Sequence, residues 1–281
     1  MTLIAPVRAT LQRTIPRLRG LELLAALVLI FLVVAAIVPQ LLATHDPLGI
    51  APAEAFHAPS LAHWFGTDES GRDVYSRVIY GARSSLLIGV SATAIGLALA
   101  LLFGAAAGLG SKPVDFTVSR VLEVLFAFPG LLLALLFITI FGVGVVTSTI
   151  AVGLATAPGY ARIIRSQIIA IKNSGYIEAA TILGRSRVVT FRRNILPNVA
   201  WPLLALATLG VGQAIVWASA LSFLGLGAVP PAAEWGAMLS AGRTYITNAG
   251  WLTLFPGLFV VLSAASATIL GQSIQRRNRE L

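Results

Sequence analysis

His45, His57 and His63 are the three histidines of this 281-residue chain, and they share one segment with Asp46, Glu54, Asp68, Glu69 and Asp73. Imidazole and carboxylate side chains together can hold a transition-metal ion. Their spacing matches no helical ligand pair, and loop histidines without ordered carboxylates read first as plain polar residues, so no metal is assigned. Cysteine is absent, which removes disulfides and thiolate metal sites. The glycine-rich stretch Gly104–Ser111 lacks the Lys-Ser/Thr pair that grips phosphate, and no nucleophile elbow occurs. Neither a catalytic residue nor a bound cofactor is expected.

A second segment carries chemistry of another kind. From Tyr176 to Pro197 the chain reads YIEAATILGRSRVVTFRRNILP, too charged to enter lipid. Asn173-Ser174-Gly175 is a chain reversal and helix-start signal, and a short amphipathic helix is predicted from about Tyr176 to Leu183. Gly184, without a Cβ, permits a change of direction, and Arg185 opens a second basic segment that runs to Asn194. Ala179 and Ala180 keep the element slim, and Glu178 offers a carboxylate to a partner arginine or a local cap. A rigid element of this kind, projecting from a membrane protein, can receive force in a partner's groove.

The elements that must position these residues are membrane spans. The chain is 57% hydrophobic and 11% charged, with mean hydropathy +0.87, whereas soluble domains carry about 25% charged residues. Uncharged apolar runs of about 18 residues or more read as spanning helices. Leu23–Thr44, Ser84–Ser111, Val124–Ala161, Asn194–Ala233 and Thr244–Gln275 contain no charged residue and no histidine. The third run is long enough for two short spans that turn at Gly142-Val143-Gly144. The fourth holds one, from about Val199 to Leu221. The fold class expected is all-α and integral to the membrane, with six spanning helices. The first run is too long for a signal-peptide core, and Val38-Pro39-Gln40 is a poor cleavage site, so it reads as a retained helix over about 23–42.

Basic residues near span ends favour the cytoplasm. With both termini inside, sixteen of the twenty basic residues fall on the inner side. These are Arg8, Arg13, Arg17 and Arg19, then Lys112 and Arg120, seven between Arg162 and Arg193, and Arg276, Arg277 and Arg279. The outer loops keep Arg72, Arg77, Arg83 and Arg243. The net charge of +9 is then topogenic and lipid-facing and gives no reason to expect nucleic acid, for which no aromatic-basic pattern appears.

A proton- or sodium-coupled carrier usually places ionisable residues inside its spans, and the apolar runs hold none. Gly104 and Gly108 form a small-xxx-small pair suited to helix packing. Pro129, Pro158, Pro202 and Pro256 lie in or beside spans, as hinges or as plain bundle architecture. Gln213, Ser219 and Ser222 are candidate lining groups for a path through the bundle. Gly66-Thr67-Asp68 and Gly71-Arg72-Asp73 read as outer turns ahead of the second span. Pro230-Pro231 and Glu234-Trp235-Gly236 form a second outer loop, with Trp235 and Trp251 as interface anchors.

Glu178-Ala179-Ala180, followed by Gly184 and then Leu196-Pro197, resembles the loop by which type I ATP-binding-cassette (ABC) importer permeases grip their ATPase subunits. Three further blocks resemble the C-type permease subunits of dipeptide and oligopeptide importers: HWFGTDESGRDVYSRVIYGARSSLLIG from His63, LSFLGLGAVPPAAEWGAML from Leu221, and FAFPGLL from Phe126. Asn194 stands where the general pattern has an aliphatic residue, and Gly271–Arg277 replaces an acidic tail. The resemblance implies the type I importer permease fold in a bacterial cytoplasmic membrane, with both termini cytoplasmic. Residues 1–83 would be an N-terminal region with the first helix and an outer loop, 84–275 the permease domain with its coupling loop at 162–197, and 276–281 a cytoplasmic tail.

The resemblance further implies a homologous second permease as heterodimer partner, two ATPase domains that bind ATP and magnesium, an extracytoplasmic solute-binding protein, and membrane lipid. Tyr176, Glu178, Ala179, Ala180, Gly184 and Arg185 would couple to the ATPases. Gly66, Thr67, Asp68, Gly71, Arg72, Asp73, Glu234 and Trp235 would face the binding protein or the outer mouth, against the alternative of a solvated turn in which carboxylates neutralise Arg72. Peptide is the implied cargo, with nickel, glutathione, haem or opines as alternatives. A secondary carrier and an exporter are the more distant rivals.

Overall fold

The computed structural model describes residues 15–280, so Arg8 and Arg13 of the basic set lie outside the described residues. The described chain is helical apart from loops and one antiparallel bridge between Thr67 and Asp73. The helices are α1 (Ile15–Ile37), α2 (Val74–Leu109), α3 (Lys112–Phe126), α4 (Gly130–Phe141), α5 (Val145–Lys172), α6 (Gly175–Ile182), α7 (Arg187–Thr190), α8 (Leu196–Phe223), α9 (Trp235–Gly242) and α10 (Trp251–Glu280).

Four helical stretches are long and apolar enough to cross a membrane: Gly20–Ile37, Val74–Leu109, Phe191–Phe223 and Trp251–Arg277. The expected third span differs from expectation. It does not begin at Val124. α3 starts at Lys112, and α3 and α4 meet at a bend of 95°. Pro129 stands at the bend in extended conformation (φ −53, ψ 126), and a proline disfavours helical geometry in the residue before it. α4 has 12 residues, about 18 Å at ~1.5 Å per residue, short of a hydrocarbon core of about 30 Å. Only together do α3 and α4 have the length and apolarity of a span, so the described residues hold four candidate spans, or five with the bent pair.

α5 meets the length but not the apolarity, because Ser148, Thr149, Thr156 and Pro158 dilute it. Those residues face protein. Ser148, Thr149 and Thr156 are buried, and their hydroxyls donate to carbonyls of Val145 and Gly153 at 3.0, 2.7 and 3.0 Å. Satisfied within the helix, they cost little in a dry interior. α5 also runs on to Lys172, so Arg162–Lys172, expected as loop, is helix.

α2 and α5 run side by side in the same direction and touch through glycine. A Cβ on Gly104 would lie 2.8 Å from the Ala161 carbonyl oxygen and 2.9 Å from Ile164 Cβ, and one on Gly108 would lie 2.8 Å from Ile168 Cγ2. α8 and α10 complete the bundle. At one end, Leu32 of α1, Val78 and Ile79 of α2, Ile215 of α8, Trp235 of α9 and Phe259 of α10 share one buried cluster. At the other end Arg277 pairs with Glu22 at 3.4 Å. The two ends of the described chain therefore lie on the same side of the bundle, the side where α6 lies. The expected tail at 276–281 continues α10 through Glu280.

Candidate functional site

α6 begins where α5 stops. The amides of Ile177 and Glu178 donate to the Ser174 carbonyl at 3.0 and 3.2 Å, setting the first turn after the reversal at Asn173. Ile177 and Ala180 are buried, whereas Tyr176, Glu178 and Ala179 face outward. The helix stops at Gly184, whose φ is +75, and the Arg185 amide donates back to the Ala180 carbonyl at 3.0 Å. This six-to-one closure around a left-handed residue is the Schellman stop. Nothing lies within 4 Å of the position a Gly184 Cβ would take. The backbone conformation, rather than crowding, calls for glycine here.

Two residues at this tip carry a signal the sequence reading passed over. Ile182 and Leu183 are 80% and 79% exposed, with Tyr176 half-exposed beside them. Exposed apolar side chains grouped on a projecting element mark an interaction surface. The clue lay in two aliphatic residues directly before Gly184, just ahead of the basic run that opens at Arg185.

The inner face of α6 leads into the bundle. Ile177 belongs to a buried cluster with Leu122 of α3, Ala161, Ile164 and Ile168 of α5, and Ile195 and Val199 at the start of the α8 span. Close packing of this cluster ties α6 to α3, α5 and α8. After α7, residues Phe191–Ile195 form a widened, π-type turn that runs straight into α8. Pro197 lacks an amide and crowds the carbonyl four residues earlier, and a widened turn relieves such a conflict. Asn194, at the family departure, is bridged by the Asn198 side-chain amide, which donates to its carbonyl at 2.6 Å. Nearby, Arg165 of α5 grips Asp115 of α3 in a two-pronged ion pair at 2.5 and 2.8 Å, so the first turn of α3 moves with α5.

The opposite end is a folded platform rather than solvated loops. Thr67, Asp68, Arg72 and Asp73 are all buried. Gly66 and Gly71 turn the chain at φ +75. Asp68 accepts from the amides of Ser70 and Arg72 at 2.8 and 3.0 Å, and its carboxylate meets Arg72 Nε at 2.9 Å. The turn is thus self-paired, as one of the two readings had it, but it is not exposed to solvent. Asp73 caps α2 by accepting from the Ser76 amide at 2.8 Å. Arg77, which sequence reasoning treated only as topogenic charge, donates to the carbonyls of Pro47 and Pro231 at 3.1 Å each and so stitches the two loops together.

Glu234 caps α9, accepting from the amides of Gly236 and Ala237 at 2.9 Å. Trp235 is fully buried and donates to the Val78 carbonyl at 2.9 Å; Trp251 donates to the Thr67 carbonyl at 3.1 Å. Trp235 is thus an internal tie rather than an interface anchor, because a buried N–H must find an acceptor, whereas Trp251 is only partly buried.

The three path candidates separate. Gln213 borders a cavity of about 220 Å³ with Phe126, Phe128, Thr156, Tyr160 and Trp217, and its Oε1 accepts from the Tyr160 hydroxyl at 3.3 Å. Ser219 and Ser222 are buried against the loop that follows α8. A Cβ on Gly236 would lie 2.6 Å from the Ser219 carbonyl, and the Ser222 hydroxyl accepts from the Ala228 amide at 3.3 Å. They stand in the packing around α9 rather than in that cavity.

Residues 76–280 match the family described as binding-protein-dependent transport system inner membrane component. Over 274 residues the chain is 34% identical to a dipeptide transport system permease protein of Alkalihalophilus pseudofirmus, covering 98% of this chain and 90% of the relative. A probable D,D-dipeptide transport system permease protein of Escherichia coli is 34% identical over 91% of this chain and 86% of its own length. A glutathione transport system permease protein of Escherichia coli is 38% identical over 92% of this chain and 86% of its own length. Among solved structures, an inward-facing methionine ABC transporter superposes with TM-score 0.59 at 18% identity, covering 72% of this chain and 95% of that one.

Proposed function

The chain belongs to the binding-protein-dependent transport system inner membrane components and has the type I ABC importer permease fold, and on that premise we propose that it conducts di- and oligopeptides into the cell when an ATPase pushes on α6. A multi-pass inner-membrane permease of this family works with an ATPase and a binding protein. The subunit forms and breaks no covalent bond in this reading. ATP and magnesium sit on the partner ATPase domains, a homologous second permease completes the path, and no nucleic acid is involved.

The observation that carries the proposal is the tip of α6. It ends in a Schellman stop, exposes Ile182 and Leu183, and roots through Ile177 in the cluster that joins α3, α5 and α8. Tyr176, Glu178, Ala179, Ala180, Gly184 and Arg185 shape this element. The excess of Lys and Arg at the α6 end supports its placement in the cytoplasm, with both termini on the same side. The buried platform built from Thr67, Asp68, Arg72, Asp73, Glu234 and Trp235 then faces outward as the rigid seat for a solute-binding protein. Gln213 and its aromatic neighbours are the side chains best placed to meet cargo. Peptide cargo is supported by relatives named for dipeptides, and the glutathione alternative by relatives named for glutathione.

The test is ATP hydrolysis in proteoliposomes that hold this chain with its partner permease, its ATPases and its binding protein. Binding protein loaded with peptide is expected to raise hydrolysis several-fold over the empty form, with peptide accumulating in the lumen. Stimulation by nickel-loaded binding protein instead would keep the architecture and overturn the cargo, and peptide efflux would overturn the direction.

A further inference from the structure

Two histidines to which the proposed transport cycle gives no role converge on Asp73 at the platform end. His45 follows α1, His63 lies in the loop before α2, and Asp73 caps α2. One potential ligand atom from each lies within 4.8 Å of the other two. His63 and Asp73 are buried, whereas the His45 side chain is 42% exposed. Nδ1 of His63 is 2.9 Å from Asp73 Oδ1, and Nδ1 of His45 is 3.8 Å from Asp73 Oδ2. The two imidazole rings are 4.7 Å apart.

The surroundings of His63 are the informative part. Its Nε2 stands 3.2 Å from Glu54 Oε2, so both ring nitrogens face carboxylate oxygens. Ionised carboxylates only accept, and a neutral imidazole carries one N–H, so a neutral His63 satisfies one of the two. A second ring proton or a cation on Nδ1 resolves the conflict, and the cation also accounts for the approach of the second imidazole, His45. Nδ1 then gives its lone pair to the metal while Nε2–H donates to Glu54, the carboxylate–histidine–metal arrangement that orients ligands in metal sites.

The remaining ligands are also held. Asp73 Oδ2 accepts from the Ser76 amide and hydroxyl at 2.8 and 2.7 Å, and the backbone amide of His45 donates to the same Ser76 hydroxyl at 3.0 Å. Atoms sharing one zinc ion lie no more than about 4.2 Å apart, given bonds of ~2.1 Å. The three atoms lie within 4.8 Å of one another, so the site closes by a movement of the half-exposed His45 ring.

We propose that His45, His63 and Asp73 bind a divalent transition-metal ion of the zinc class, with Glu54 orienting His63 from behind and the solvent side of His45 leaving a fourth position for water. Two imidazoles and one carboxylate suit zinc, copper or nickel better than magnesium or calcium. The ion ties the segment after α1, the loop before α2 and the first turn of α2 to one another, and it does so as a structural clip, independent of what the protein transports.

The experiment uses the assembled transporter, stripped with a chelator and titrated with zinc ion alone. Wild type is expected to take up one zinc per copy of this chain at this site, with an X-ray absorption signature of two imidazoles, and to melt at a higher temperature with zinc than without. Glu54→Gln is expected to weaken binding by about 10–100-fold, and His45→Ala by at least as much. His45→Ala removes a half-exposed side chain, so its metal-free melting temperature is expected to match wild type while the zinc-dependent rise disappears. Zinc affinity and melting response identical in wild type and His45→Ala, or no saturable zinc binding by wild type, overturns the proposal.

Discussion

Replacing Ile182 and Leu183 together with aspartate is expected to strip the permease of its ATPase while leaving it inserted and folded. Both side chains are about four-fifths exposed, so their removal takes nothing from the bundle core, and surface substitutions of that kind change stability little. If the pair seats in an ATPase groove, each contributes about 1.5–3 kcal/mol of apolar burial there. Losing both forfeits about 3 kcal/mol or more, which is about 100-fold or more in affinity, and the new carboxylates add a desolvation cost. Co-purification of the ATPase and transport-linked hydrolysis are expected to fall to background, with an unchanged elution profile for the permease. A fully coupled double variant would show that the partner grips some other surface.

Gly104→Leu is expected to destabilise the bundle strongly by overpacking the α2–α5 contact. The Cβ it adds meets the Ala161 carbonyl oxygen at 2.8 Å and the branched Ile164 at 2.9 Å. A backbone oxygen in a packed helix cannot rotate away, so α2 and α5 must separate. Overpacking of a core typically costs about 1–3 kcal/mol, and a clash with backbone belongs at or above the top of that range. A loss of ~3 kcal/mol lowers Tm by on the order of 5–10 °C for a chain of this size. Gly20→Leu is the matched control, because no atom lies within 4 Å of its Cβ position in α1. Equal melting of the two variants would contradict the close α2–α5 contact.

The sequence made the long apolar helices legible because the hydrocarbon core imposes their length and composition. It misplaced the third crossing because hydropathy sees no bend. Lys112 and Arg120 read as loop residues, whereas they ride on the polar face of α3, with Arg120 in an exposed ion pair with Glu123 at 2.8 Å. Hydropathy also undervalued the ends of α5, where arginines and hydroxyls meet protein instead of lipid. The α6 element was readable almost to the residue, since a reversal at Asn173-Ser174 and a stop at Gly184 are local backbone requirements.

The platform was not readable in the same way. Arg77, Trp235 and Trp251 look like surface residues one at a time, and only long-range partners such as Pro231, Val78 and Thr67 turn them inward. The convergence of His45 on Asp73 is of that kind too, because a whole loop closes between them.

The most direct measurement of the central claim uses the absence of cysteine from the chain. A single Leu183→Cys at the α6 tip and a single Leu61→Cys at the platform end, each highly exposed, give two unique attachment points for a bifunctional cross-linker in the assembled transporter. The account predicts that Leu183→Cys captures the ATPase subunit, while Leu61→Cys captures no ATPase and is labelled by an impermeant thiol reagent from outside intact cells. Capture of the ATPase from Leu61→Cys, or labelling of Leu183→Cys from outside, would contradict it.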